Sequence, residues 1–141
     1  MSADVEAQRW LAQAELDLAA ARDNCPTGHY EWACFCSQQA GEKALKAVVY
    51  RLGRTSVVTH SLLQLVTELE ALGVTLGDIR AVAKHLDQHY IPTRYPNGLA
   101  SPMIPGRFYG REDAERCTQF ADLILTACRS FLATFTSSSS G

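Results

Sequence analysis

The 141-residue sequence has no long apolar run and no large excess of charge of one sign. No stretch approaches the roughly 18 apolar residues that cross a membrane, and the N-terminus lacks the basic and apolar blocks of a signal peptide. With a net charge of −2, the chain has no overall basic field that would attract DNA or an anionic membrane. We therefore expect a cytoplasmic protein without a membrane or DNA partner, in which a few local side chains hold any anion.

Cysteine is too scattered to form a disulfide framework. Cys34 and Cys36 fall about 200° apart around a helix, so they cannot bind one metal ion together. We interpret the cysteines as small core residues in a reducing compartment, and we predict no metal ion and no cofactor. The sequence has an odd number of cysteines: Cys25, Cys34, Cys36, Cys117 and Cys128.

Apolar residues recur at helical spacing along most of the chain, whereas no strand-like alternation of any length occurs. We predict an all-α, up-and-down bundle of four to five helices, which forms a single domain over residues 1–135 and is followed by a flexible tail at 136–141. Asp4 and Thr59 are the predicted N-caps of the first and third helices. The predicted helices span about residues 5–22, 30–52, 59–72, 79–90 and 112–134.

The second predicted helix has two different faces. One face is lined by small residues, which lets a neighbouring helix approach closely. The opposite face carries Trp32, Phe35, Lys43, Lys46 and Tyr50. Its aromatic side chains are too apolar to remain in water, so we assign Trp32, Phe35 and Tyr50 to a dimer interface, with the core as the alternative. Lys43 and Lys46 are three residues apart and can present two ammonium groups to a phosphate, unless both are merely solvated.

Residues 91–110 interrupt the helical pattern, because they hold four of the five prolines and three of the nine glycines. We expect no regular structure there, but the apolar residues of the segment favour a loop that packs on the bundle. Arg111 follows at the start of the last helix and is a secondary candidate for phosphate binding, since helix N-terminal amides attract anions. Glu112 and Asp113 compete for its charge.

Arg94 and Tyr95 are the main candidates for ligand binding in this loop. They lie between Pro92 and Pro96, which restrict the backbone on both sides. An arginine held beside an aromatic ring can bind phosphate with its planar fork while the ring stacks on a base. The alternative is structural, with Tyr95 in the core and Arg94 paired with a helix carboxylate such as Asp87.

Several sequence strings, in this order along the chain, resemble the HEPN family, whose helical domains occur in higher eukaryotes and prokaryotes. The similarity extends over residues 6–135 and includes both free-standing prokaryotic members and the C-terminal domain of a large chaperone-associated eukaryotic protein. The strings are WLAQAELDL at 10–18, WACFCSQQAGEKALK at 32–46, THSLL at 59–63 and LDQHYIPTRYP at 86–96.

The resemblance implies a helical bundle that forms a homodimer and binds nucleotides or polyphosphate. Prokaryotic relatives are paired with minimal nucleotidyltransferases in toxin and antitoxin operons. Some branches of the family are metal-independent ribonucleases, which carry an arginine, four to six residues and then a histidine, with a polar residue directly after the arginine.

Arg80 and His85 fit this ribonuclease spacing. In such an enzyme His85 would act as general base toward a ribose 2′-hydroxyl, and Arg80 would stabilise the phosphate charge. However, the spacing places the two about 140° apart around a helix, and Ala81 stands where the pattern has a polar residue. His85 and His89 are spaced to meet one metal ion, but two ligands do not make a site.

Three hypotheses follow. The first is a dimeric module that binds a nucleotide, GTP or ATP, or another polyphosphate without catalysis and serves a larger protein or a partner. The second is a ribonuclease toxin that uses Arg80 and His85 on RNA. The third is a purely structural dimerisation module.

Overall fold

The computed structural model describes residues 2–139, and within that range it contains helices and turns but no strand. The all-α prediction is therefore confirmed. Short helical turns also occur in the Pro/Gly-rich loop, where we expected no regular structure. The elements are α1 (Ala3–Asn24), α2 (Tyr30–Arg51), α3 (Leu62–Ala71), α4 (Arg80–Asp87), a 3-10 turn (Pro96–Gly98), α5 (Pro105–Phe108) and α6 (Arg111–Ser139).

The helix ends differ from the predictions where a different side chain caps them. Ser2, not Asp4, is the N-cap of α1, because its hydroxyl accepts a hydrogen bond from the amide of Val5 at 3.1 Å. Ser61 caps α3 in the same way through the amide of Gln64, so that helix begins later than Thr59. Both caps are serines of the kind that satisfy unpaired first-turn amides.

The later helices also differ in length. α4 ends at Asp87 rather than at residue 90, and the chain then turns toward the loop. α6 continues to Ser139 and so covers part of the segment 136–141 that we expected to be a flexible tail. Residues 140 and 141 lie outside the described part of the chain.

α2 is the centre of the bundle, in contact with α1, α3, α4, α5 and α6. Its small residues allow this close packing: a Cβ placed on Gly41 would lie only 2.6 Å from a methyl carbon of Leu62, 3.3 Å from Leu86 and 3.4 Å from Ile124. The glycine is therefore where three other helices approach α2. No helix among residues 2–139 is long and apolar enough to cross a membrane.

The charged face of α2 is buried along its C-terminal half, contrary to the expectation that it faces a partner. Trp10 of α1 stacks on Tyr50 with ring centroids 5.3 Å apart and lies 5.5 Å from the ammonium of Lys46. That ammonium pairs with Glu42 at 3.1 Å, and both side chains are 4% exposed. Thus α1 covers a surface that the sequence alone suggested was free.

Candidate functional site

An open groove lies between the N-terminal part of α2 and the 91–110 loop, with a volume of about 610 Å³. Exposed aromatic side chains line it, and Trp32 and Tyr95 are 48% and 49% exposed. We refer to it as the Arg94 groove. Its main lining residues are Glu31, Trp32, Phe35, Arg94, Tyr95 and Ile104.

The guanidinium of Arg94 is surrounded by aromatic rings. Its central carbon lies 4.7 Å from the ring centroid of Phe35, 4.6 Å from that of Tyr90 and 5.1 Å from that of Tyr95. These distances are typical of cation–π contacts, which orient a guanidinium without neutralising it. Its Nε donates a hydrogen bond to the carbonyl oxygen of Tyr90 at 3.3 Å. Within residues 2–139 Arg94 has no ion pair, so its terminal N–H groups remain available to a ligand.

Asp87 is not the partner of Arg94, so that part of the structural alternative was wrong. The Asp87 carboxylate instead accepts hydrogen bonds from the amides of Leu62 and Leu63 at 2.7 and 3.0 Å, and from the Ser61 hydroxyl at 3.0 Å. It therefore satisfies the first-turn amides of α3 from the end of α4. Tyr95 does not fill the core either, because about half of it is exposed.

The loop holds Arg94 through local backbone contacts. The buried Thr93 donates its hydroxyl to the carbonyl oxygens of His89 and Tyr90, at 2.9 and 3.0 Å. Further along, a Cβ on Gly98 would lie 2.8 Å from Cα of Pro92, so only glycine lets the chain fold back there. The loop is thus an ordered support for the arginine.

Two of the three predicted interface residues line the groove. Trp32 and Phe35 meet edge to face with centroids 5.8 Å apart, and Phe35 also stacks on Tyr90 at 6.3 Å. Tyr50 lies in the other half of α2, packed on Trp10. The structure therefore brings Trp32 and Phe35 to Arg94 but leaves Tyr50 apart from them.

The two predicted lysines do not join this site. The ammonium of Lys43 pairs with the carboxylate of Asp17 at 2.6 Å, and that of Lys46 is buried against Glu42. A buried ammonium already satisfied by a carboxylate cannot reach a solvent-borne phosphate. Lys46 is therefore inaccessible to a phosphate in solution, and Lys43 would have to leave Asp17 to bind one.

Arg111 remains exposed at the start of α6. Its Nε donates to the hydroxyl of Tyr30 at 3.4 Å. Asp113, which we expected to compete for it, instead accepts a hydrogen bond from the amide of Gly110 at 2.8 Å. Arg111 thus stays a secondary candidate for phosphate.

Arg80 and His85 contact two different helices. Arg80 reaches α3, where it pairs with Glu70 at 2.7 Å and donates to the Thr67 hydroxyl at 3.2 Å. The ring of His85 packs edge to face on Phe120 of α6, with centroids 4.9 Å apart. Within one chain, therefore, the two side chains are engaged with different helices.

The fold brings together a buried cluster of Cys34, His89 and Cys117 that the sequence did not predict. Their sulfur and ring nitrogen atoms all lie within 4.8 Å of one another. The hydrogen bond from the Cys34 thiol, supported by His89, lowers the pKa of Cys117 although burial opposes this. The three residues lie far apart in the chain, so no local spacing indicates the cluster. The sequence indicated only that both cysteines occupy the buried stripes of their helices.

The pKa of the other two members of this cluster is raised. The hydrogen bond with Cys117, and then burial, raise the pKa of Cys34. Burial alone would lower the pKa of His89, but its interactions with Cys117, the His85 carbonyl and Asp113 outweigh that effect. The arrangement favours a proton on Cys34 and on His89 rather than on Cys117.

Comparison with known proteins identifies the family that this chain resembles. The family model described as HEPN domain matches residues 7–131. A protein of Methanocaldococcus jannaschii named "Putative toxin MJ1304" is 30% identical over 133 residues, which cover 89% of this chain and 88% of that protein. Human sacsin is 28% identical over 131 residues, which cover 91% of this chain but only 3% of sacsin.

Solved structures agree with this assignment. TT1696 from Thermus thermophilus has a TM-score of 0.82 at 37% identity, over 89% of this chain and 97% of that one. ST0689, described as an archaeal HEPN homologue, has a TM-score of 0.74 at 35% identity, over 90% of this chain and 98% of that one. This chain therefore belongs to the HEPN domain family.

Proposed function

We propose that this chain is a dimeric binding module that holds a nucleotide or another polyphosphate in the Arg94 groove without turning it over, in the service of a larger protein or a partner. One observation supports this most directly. The Arg94 guanidinium is fixed by three aromatic rings, has no acidic partner among residues 2–139 and lies at an open groove.

The chemistry of the groove suits a nucleotide. A guanidinium offers parallel N–H donors that match two phosphate oxygens. Trp32 and Tyr95 present exposed ring faces on which a base can stack. The volume of about 610 Å³ lies in the usual range of small-molecule sites, roughly 300–1,000 Å³. Glu31 on the rim disfavours phosphate in its immediate neighbourhood, so we orient the phosphates toward Arg94 and a ribose hydroxyl toward Glu31.

Exposed apolar side chains beside the groove support the dimer. Ile104 and Phe108 are 38% and 50% exposed, and Trp32 is nearby on the groove wall. Neighbouring exposed apolar groups of this kind are common at subunit interfaces. A strictly monomeric species at high protein concentration, measured by sedimentation, would contradict the dimer.

Calorimetric titration with GTP, ATP and inorganic polyphosphate tests the proposal. We expect saturable heat of binding and no product on incubation with either nucleotide. Arg94→Ala should weaken binding at least about tenfold, which corresponds to about 1.4 kcal/mol. The matched control is Arg129→Ala, an arginine on α6 that pairs with Glu15 away from the groove. Equal affinity in Arg94→Ala and the control would place the ligand elsewhere.

A second candidate function is RNA cleavage, favoured by the name "Putative toxin MJ1304" of one relative. The separation of Arg80 and His85 within the chain argues against it. A catalytic site at a dimer interface, however, would combine residues from two copies of the chain. Incubation with single-stranded and structured RNA tests this candidate, with His85→Ala as the diagnostic variant. Cleavage that persists unchanged in this variant would eliminate His85 as the base.

A third candidate is a purely structural dimerisation module, which the exposed apolar side chains beside the groove also favour. One experimental result distinguishes this candidate from the nucleotide-binding module. The dimer would persist in sedimentation while none of the three phosphate ligands bound.

A further inference from the structure

Three side chains with metal-binding atoms converge in the core, where α2, α6 and the turn after α4 meet. Cys34 and Cys117 are fully buried and His89 is 7% exposed. Their two sulfur atoms and one ring nitrogen lie within 4.8 Å of one another. We infer that Cys34, His89 and Cys117 bind a zinc ion. This inference is independent of the nucleotide site.

The orientation of His89 fits a metal ligand. Its Nδ1 lies 3.0 Å from the carbonyl oxygen of His85, which can only accept a hydrogen bond. Nδ1 must therefore carry a proton in either charge state of the ring, so that a metal ion displaces only the proton on Nε2 and takes the lone pair of that nitrogen. Histidines that bind zinc usually donate their other N–H to a carbonyl or carboxylate in this manner. The His85 carbonyl thus leaves Nε2 as the nitrogen available to an ion.

The ligand atoms need only a small adjustment to close on an ion. Zinc bonds of about 2.3 Å to sulfur and 2.1 Å to nitrogen place tetrahedral ligands about 3.6–3.8 Å apart. The separations of up to 4.8 Å therefore close by at most about 1.2 Å. Within residues 2–139 no fourth Cys, His, Asp or Glu ligand atom lies at this distance from all three, so the protein supplies three ligands of these types.

Charge balance favours a divalent thiophilic ion such as zinc over monovalent copper. Two thiolates and a neutral imidazole carry a charge of −2, which a divalent zinc ion cancels. A monovalent copper ion would leave one net negative charge in the core, and burying an uncompensated charge is costly. Zn²⁺ also favours the tetrahedral sulfur and nitrogen set that this cluster can form.

The ion would join three elements that support the candidate ligand site. Cys34 belongs to the helix that carries Trp32 and Phe35, while His89 directly precedes Tyr90, whose ring and carbonyl oxygen hold Arg94. The ring of Tyr109, at the end of the loop, packs 5.7 Å from that of His89. Zinc would therefore fix the base of the loop to the bundle.

Cobalt substitution tests the inference on the untagged, reduced and metal-free chain. We expect one equivalent of Co²⁺ to bind with a sulfur-to-cobalt charge-transfer band and with the strong visible bands of tetrahedral cobalt, and Zn²⁺ to displace it. Zinc at a hundredfold excess over its dissociation constant should raise the unfolding midpoint by about 5 °C or more. Cobalt bound without the sulfur band would overturn the inference, and so would the absence of binding.

Matched variants locate the ligands. Cys34→Ala and Cys117→Ala each leave one thiolate and the histidine, so each should lose at least about half of the charge-transfer intensity and most of the thermal shift. Cys36→Ala and Cys128→Ala, on the same two helices but outside the cluster, should retain both. If an alanine variant fails to fold by circular dichroism, the serine variant replaces it, because it retains the size of the side chain while removing the soft ligand. A sulfur band of unchanged intensity in both folded cluster variants would refute the assignment.

Discussion

At the N-terminal end of α2, the guanidinium of Arg94 lies against aromatic rings and forms no ion pair with a carboxylate among residues 2–139. In the C-terminal half of the same helix, the ammonium of Lys46 is buried between Glu42 and the ring of Trp10. Both cations contact aromatic rings, but within residues 2–139 only Lys46 forms an ion pair with a carboxylate. The comparison teaches that an acidic partner, rather than the aromatic contact, separates a structural cation from one that can bind a ligand.

The largest effect should come from breaking the buried pair. Glu42→Ala leaves the Lys46 ammonium in the core without its carboxylate, and we expect a loss of about 3–5 kcal/mol in the free energy of unfolding. Denaturant titration measures this change. The double variant Glu42→Leu with Lys46→Met removes both charges and should be close to neutral. A single variant with unchanged stability would mean that the pair is solvated.

The two tryptophans offer a second contrast between these regions. Trp10→Ala should cost about 2–3 kcal/mol, because the ring packs on Tyr50 and covers Lys46. Trp32→Ala should cost less than about 1 kcal/mol, since about half of that side chain is exposed. Unfolding curves of the two variants test the order, and a reversed order would contradict the assignment of Trp32 to a binding surface.

Replacing Arg94 by lysine separates its charge from its shape. Arg94→Lys keeps the positive charge but loses the planar fork and its stacking on three rings. We expect affinity for the phosphate ligand to fall about tenfold, or about 1.4 kcal/mol, while stability changes by less than about 1 kcal/mol. Parallel calorimetry and unfolding provide both values. Full affinity in the lysine variant would indicate that only the charge matters.

The smallest effect should follow from the partly exposed pair between Lys43 and Asp17. Their side chains are 23% and 18% exposed, so water screens their attraction. Asp17→Asn should therefore change the free energy of unfolding by less than about 1 kcal/mol. The same variant frees Lys43, and tighter phosphate binding in it would restore this lysine as a ligand candidate.

The sequence predicted features that depend on local periodicity. The bounds of α2 were right to within one residue, and the all-α class and HEPN membership are confirmed. Arg94 and Tyr95 could be singled out because the prolines beside them mark an ordered loop. In each case the relevant physics involves residues close together in the chain.

Features that depend on contacts between distant segments could not be predicted in this way. Nothing near Lys46 in the sequence reveals that Trp10 covers it. Likewise, the N-cap of α3 is reinforced from α4 by Asp87. The cluster of Cys34, His89 and Cys117 exists only because three elements converge, and no spacing rule within one helix describes it.

The unequal exposure of the two tryptophans also gives the protein an optical readout of its own. The chain has no other tryptophan, so its indole emission comes from Trp10, packed against Tyr50, and from Trp32, on the groove wall. A neutral quencher dissolved in the solvent should therefore dim Trp32 first, and any molecule that covers the groove should protect it. Emission from Trp10 would instead follow the opening of α1 from α2. One fluorescence quenching measurement thus distinguishes occupation of the groove from unfolding of the protein.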